Sequence, residues 1–102
     1  MKAHELVQSM KNNRQPMVLD VRSGIEYRSG HIPGAFHIPL WKLLFRIARL
    51  PDDRTSKLVV TCEHGPRAQL AAGMLGSRGF RDVELLDGHM AAWRRAGHPL
   101  EK

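Results

Sequence analysis

The 102-residue sequence contains one cysteine, Cys62. No intramolecular disulfide can form, and no pair of thiols stands at zinc-ligand spacing. Such a chain is expected to be reduced, and cytoplasmic. Long apolar runs are missing as well: none approaches the roughly 18 residues of a membrane span. The opening MKAHELVQSM has Glu5 and Gln8 where a signal peptide needs its apolar region. Aromatic residues make up only 6%. None interleave as a base-stacking platform with the arginines, which are scattered from Arg14 to Arg95. The formal charge of +6, from 16 Lys plus Arg against 10 Asp plus Glu, therefore does not make nucleic acid an expected partner. His31 and His37 have no third ligand at a suggestive spacing, so no metal is expected, and no cofactor.

What the sequence does contain is alternation of strand-like and helix-like segments. Met17 to Val21 and Lys57 to Thr61 are apolar runs of the kind buried on both faces of a sheet, with Asp20 as the charged anomaly in the first. Ala35 to Ile38 and Val83 to Leu86 read as shorter strands. Ala3 to Met10 reads as an amphipathic helix, and Ile25 to Ser29 as about one further turn. Leu40, Leu43, Leu44, Ile47 and Leu50 fall at helical spacing before Pro51, which predicts a helix over 40–50. Trp41 and Phe45 lie to one side of that stripe, where they pack in the core or form an exposed patch for a partner. Pro66 to Arg78 predicts a helix with Leu70, Ala71, Met74 and Leu75 inward and Gly79 as its cap; His89 to Ala96 predicts the last. Strands alternating with helices imply a parallel sheet covered on both faces. The expected fold is an α/β/α sandwich, with residues 1–102 as one domain.

The chemistry concentrates in CEHGPRA, Cys62 to Ala68. In open parallel sheets ligands bind beyond the carboxyl ends of the strands, and Cys62 lies at such an end just before a helix. A helix N-terminus presents unpaired N–H groups and a partial positive charge, which favour a thiolate over a thiol. Gly65 lets the loop curl, Arg67 adds a positive charge if it folds back, and Pro66 removes one N–H donor. Glu63 puts a negative charge at the rim that would repel a dianion. His64 faces solvent or tunes Cys62. The bland alternative is that Cys62 is a buried, inert thiol in an ordinary strand-to-helix connection.

These residues resemble the rhodanese homology domain family. Its Cys-x-x-Gly-x-Arg loop is matched by Cys62, Gly65 and Arg67. Its upstream signature is matched by DVRSGIEYRSGHIPGAFHIP, Asp20 to Pro39. VELLDGHMAAW resembles the family's Leu-x-Gly-Gly-x-x-x-Trp segment through Leu86, Gly88 and Trp93, with His89 in place of the second glycine. The resemblance covers about Glu5 to Leu100 and implies a sulfurtransferase. Cys62 would take the outer sulfur of a donor such as thiosulfate or a persulfide, and pass it to cyanide, a thiol or a protein sulfur acceptor. It further implies that Asp20, Arg22 and Glu26 form polar contacts beneath the loop, and the four-residue spacing allows an Arg22–Glu26 ion pair. The four residues between Cys62 and Arg67, against five in the family's phosphatase relatives, favour sulfur over phosphate. A non-catalytic interaction or sulfur-carrier module that docks a partner through Trp41 and Phe45 is the competing reading, and a phosphatase or arsenate reductase is the third.

Overall fold

The computed structural model describes residues 1–102. Four strands, β1 (Met17–Asp20), β2 (Phe36–His37), β3 (Leu58–Thr61) and β4 (Val83–Leu85), form one sheet in the order β2-β1-β3-β4. Every pairing is parallel, with Asp20 opposite Thr61 and His37. All strands therefore end on the same edge. Five helices accompany them: α1 (Ala3–Lys11), α2 (Gly24–Ser29), α3 (Leu40–Leu44), α4 (Pro66–Ser77) and α5 (His89–Arg95).

The central strands are apolar throughout because both of their faces are covered. β3 is buried at all four positions. Its period of two sends Leu58, Val60 and then Cys62 to one face, among Leu43, Ala68, Ala71 and Leu75 of α3 and α4. Val59 goes to the other face, among Leu6 of α1 and Met90 and Trp93 of α5. Each fully buried Leu or Val side chain contributes on the order of 1.5–3 kcal/mol, so these two clusters hold the layers together.

Two helices differ from the periodic expectation. α3 stops at Leu44 instead of running to Leu50. Arg46 adopts a left-handed φ of 57°, while the Arg46 and Ile47 N–H groups donate back to the carbonyls of Leu43 and Lys42. That is a Schellman ending with arginine where glycine is usual, and the Leu43 carbonyl also accepts from the Arg78 guanidinium at 3.0 Å. Leu43 stays buried, whereas Leu44 and Ile47 turn outward with Trp41 and Phe45. In α4 the buried stripe is Ala68, Ala71 and Leu75, and Leu70 is half exposed rather than inward. The small alanines let the helix lie close to the sheet, and Leu70 is about 100° around the helix from Ala71.

Candidate active site

β3 ends at Thr61 and delivers Cys62 to the C-terminal edge of the sheet, 0% exposed. The chain then curls back on itself, and the Gly65 N–H donates to Cys62 Sγ at 2.9 Å. The turn needs glycine at this point: Gly65 has φ +127°, and a Cβ there would lie 3.2 Å from His89 Nε2. Pro66 opens α4 at its first position, where a missing N–H costs nothing. The N–H groups of Glu63, His64, Arg67 and Ala68 donate to no backbone carbonyl. The loop's carbonyls face the other way, since Cys62 O and Glu63 O accept from the N–H groups of Met90 and Ala91 in the first turn of α5. α5 thus has its N-terminal donors satisfied by the loop, and the loop has its orientation set by α5.

The charged residues around this loop are matched in pairs. Asp20 and Arg22 are both buried, and the Arg22 guanidinium holds the Asp20 carboxylate through Nε at 3.0 Å and a terminal nitrogen at 2.8 Å. Its remaining donors reach Gly30 O at 2.8 Å and Glu63 Oε1 at 3.4 Å. The expected Arg22–Glu26 pair does not form. A capping box turns Glu26 toward its own helix: its carboxylate accepts the Ser23 N–H at 3.0 Å, and Ser23 Oγ accepts the Glu26 N–H at 3.3 Å. Both of its oxygens then accept from Arg67, at 2.6 and 3.0 Å. The hydrogen bonds from Arg67 hold the Glu26 carboxyl down at about 2, and the same pair raises Arg67.

Glu63 also corrects its expectation as an unbalanced charge at the rim. Arg94 of α5 binds its carboxylate with two nitrogens, and Arg22 approaches from the other side. The Arg94 hydrogen bond is the main reason that the Glu63 carboxyl lies below its usual range. His64 is exposed on the loop. His31 and His37 stack on the two sides of Tyr27, with ring centroids at 3.8 and 4.4 Å. His37 Nε2 lies 2.7 Å from the Arg22 carbonyl, so the stack braces the strand ends under the site.

Two residues joined to the loop escaped the sequence reading. Arg94 carries no local signal, because its contact with Glu63 spans 31 positions and two elements. His89 did leave a signal, the departure from glycine, although it lies far from Cys62 in sequence. In space its Nδ1 accepts the Cys62 N–H at 3.3 Å. The Ser23-x-x-Glu26 spacing was a legible capping signature that would have assigned Glu26 to α2 rather than to Arg22.

This arrangement holds a cysteine sulfur against the Gly65 N–H, with each nearby arginine already matched to a carboxylate. Comparison with known proteins agrees with it. A family profile described as Rhodanese-like domain matches residues 2–96. The thiosulfate sulfurtransferase GlpE of Shewanella oneidensis is 40% identical over 93 residues, 91% of this chain and 89% of that protein. A sulfurtransferase of Allochromatium vinosum is 30% identical over 98 residues, 96% of this chain and 90% of its own. Among solved structures, the Alr3790 protein of Anabaena sp. superposes with a TM-score of 0.86 at 30% identity, covering 99% of this chain and 90% of that one. The human single-domain sulfurtransferase TSTD1 superposes at 0.80 with 25% identity, covering 93% and 94%.

Proposed function

The chain belongs to the rhodanese-like domain family and is a sulfurtransferase, and from that premise we propose that Cys62 carries the transferred sulfur. Residues 1–102 act as one rhodanese-like domain. The observation that carries the reading is the Gly65 N–H on Cys62 Sγ at 2.9 Å, within a loop whose neighbouring N–H groups have no backbone acceptor. Such a turn stabilises negative charge on sulfur before and after the transfer.

In the first half-reaction the Cys62 thiolate attacks the outer sulfur of a donor. With thiosulfate, the S–S bond breaks with its electron pair leaving on sulfite, and Cys62 becomes a persulfide whose outer sulfur is anionic. In the second, cyanide or a thiolate attacks that outer sulfur, the new S–S bond breaks toward Cys62, and the thiolate returns. No external oxidant or reductant is required. The chain has no second cysteine to attack the persulfide, so the acceptor comes from outside. Glu63, His64, Gly65, Pro66 and Arg67 form the substrate loop. Asp20, Arg22 and Glu26 support it, Arg22 by tying the strand end to Glu63 and Glu26 by holding Arg67.

Thiosulfate is proposed among the donors. Arg94 and Arg22 offset the charge of Glu63, so an incoming dianion does not meet a bare carboxylate. A persulfide donor fits the same loop. Mass spectrometry of the intact protein after incubation with thiosulfate or a low-molecular-weight persulfide is expected to show one added sulfur on Cys62, discharged by cyanide. Cys62→Ser should fold and load none. Failure of every sulfane donor to load Cys62 defeats the proposal.

A protein acceptor is favoured by a separate observation. Trp41, Leu44, Phe45 and Ile47 are each at least half exposed, and Lys42, Arg46 and Arg49 among them are exposed as well. That surface suits an acidic protein with an apolar contact, in the same enzyme rather than in a non-catalytic module.

A further inference from the structure

The Cys62 loop rests on an imidazole. His89 opens α5 with a left-handed φ of 52° and is 7% exposed. For a residue other than glycine this backbone conformation costs about 1 kcal/mol, so the surrounding contacts hold it in place. Its Nδ1 accepts the Cys62 N–H at 3.3 Å and lies 3.4 Å from Thr61 Oγ1. A ring nitrogen that accepts from an N–H carries no proton, so in the neutral ring the proton is on Nε2. Nε2 sits against the turn at Gly65, 3.2 Å from the point where a Cβ would stand. No protein group accepts the Nε2 proton. One ring thereby touches both the peptide that begins the loop and the residue whose N–H meets the sulfur.

The charged and titratable groups that face this ring are Asp87 before α5, His64 and Cys62 on the loop, and the N-terminal ammonium of Met1. Burial disfavours the charged ring most strongly. Asp87 favours it, while His64 and the ammonium oppose it. His89 is therefore neutral down to a lower pH than an ordinary histidine.

We propose that His89 is a positioning residue for sulfur transfer: its neutral imidazole clamps the Cys62 loop through Nδ1, and a proton on that nitrogen releases the clamp. A protonated ring has two donors and no acceptor, so the Cys62 N–H is left facing another N–H. The role in transfer rests on the sulfurtransferase reading of Cys62. The clamp itself does not.

Two variants separate the parts. Asparagine tolerates the left-handed backbone and can accept the Cys62 N–H through its side-chain oxygen, but it does not titrate. Glycine suits the backbone and removes the acceptor. Thermal melts establish that H89N and H89G are folded, and transfer from thiosulfate to cyanide is then followed across acid and neutral pH. In wild type the Cys62 amide resonance of 15N-labelled protein is expected to move together with the His89 ring. H89G should lose roughly three- to tenfold in kcat, the worth of one hydrogen bond, with little change in KM. H89N should remain within about twofold of wild type and lack the acid limb that follows the His89 titration. An amide that ignores the ring overturns the clamp. An H89G rate and acid limb equal to wild type overturn the role in transfer, and so does an H89N loss as large as that of H89G. Wild-type protein that never loads Cys62 defeats the sulfurtransferase reading and this role in transfer together, and the amide titration then still decides the clamp.

Discussion

At the scale of single residues, Gly65 and Arg94 decide most about the loop. Gly65→Ala would place a Cβ at a backbone angle that L-residues rarely adopt and 3.2 Å from His89 Nε2. The expected cost is about 1–2 kcal/mol, read as a drop of roughly 4–15 °C in Tm for a domain of this size, together with slower loading of Cys62. Arg94→Ala acts on charge instead. It removes the main partner of Glu63 and leaves only Arg22, itself shared with Asp20. The thiosulfate KM should then rise by about three- to tenfold, an effect of charge that added salt weakens. A persulfide donor with a single negative charge should be less affected than the thiosulfate dianion. Equal losses for the two donors would show that Arg94 holds the loop's shape rather than its charge.

At the scale of elements, α2 and α4 are joined by the Glu26–Arg67 pair, and this connection has a pH signature. The Glu26 carboxyl falls from 4.5 to about 2 on folding. A depressed carboxyl stabilises the fold fully above its unfolded value, and that stability is lost as pH falls from about 4.5 toward 2. Both partners are partly exposed, so solvent screening reduces the contribution to about 1 kcal/mol. Glu26→Gln should lower stability by that amount at neutral pH, and denaturant melts of the variant should show a shallower loss between pH 4.5 and 2. Parallel curves for the two proteins would contradict the assignment. α3 contributes differently, through the surface that its early ending exposes. If an acidic acceptor docks there, the double variant Trp41→Ala and Phe45→Ala should keep its cyanide rate and lose most of its transfer to that protein. Titration of both proteins with an acidic carrier bearing a free thiol checks this.

At the scale of the whole molecule, two apolar clusters on opposite faces of a four-stranded sheet keep the Cys62 loop in place. Trp93 belongs to the face away from Cys62, is 0% exposed, and donates its indole N–H to Pro99 O at 2.7 Å. Trp93→Ala should cost about 3–5 kcal/mol, a large part of the stability of a domain this small. Because α5 also presents Met90 N–H and Ala91 N–H to the loop, transfer should fail at temperatures where the variant's remaining fold is still intact by circular dichroism.

Much of this was legible along the chain because it depends on local order. The apolar runs at β1 and β3, the thiol at the end of β3, the glycine three residues later and the helix after Pro66 are all local patterns. A strand that must be buried on both faces looks the same in any parallel sheet. Where local periodicity competed with tertiary contacts it misled: the stripe from Leu40 to Leu50 is helical in spacing, yet Arg78 and a left-handed Arg46 end α3 at Leu44. Partner choice among charges was less legible still. Asp20, Arg22, Glu26, Glu63, Arg67 and Arg94 could be matched in several ways by sequence distance. The actual matching depends on which strand ends and helix starts the sheet brings to one edge. The sequence by itself determined the layered fold and the place of the lone thiol at a strand end before a helix, since both follow from side-chain type and short-range spacing. Only the tertiary structure decided which arginine offsets Glu63 and which residue supports the cysteine, because a hydrogen bond at 3.3 Å between positions 62 and 89 exists only when α5 is packed beneath the loop.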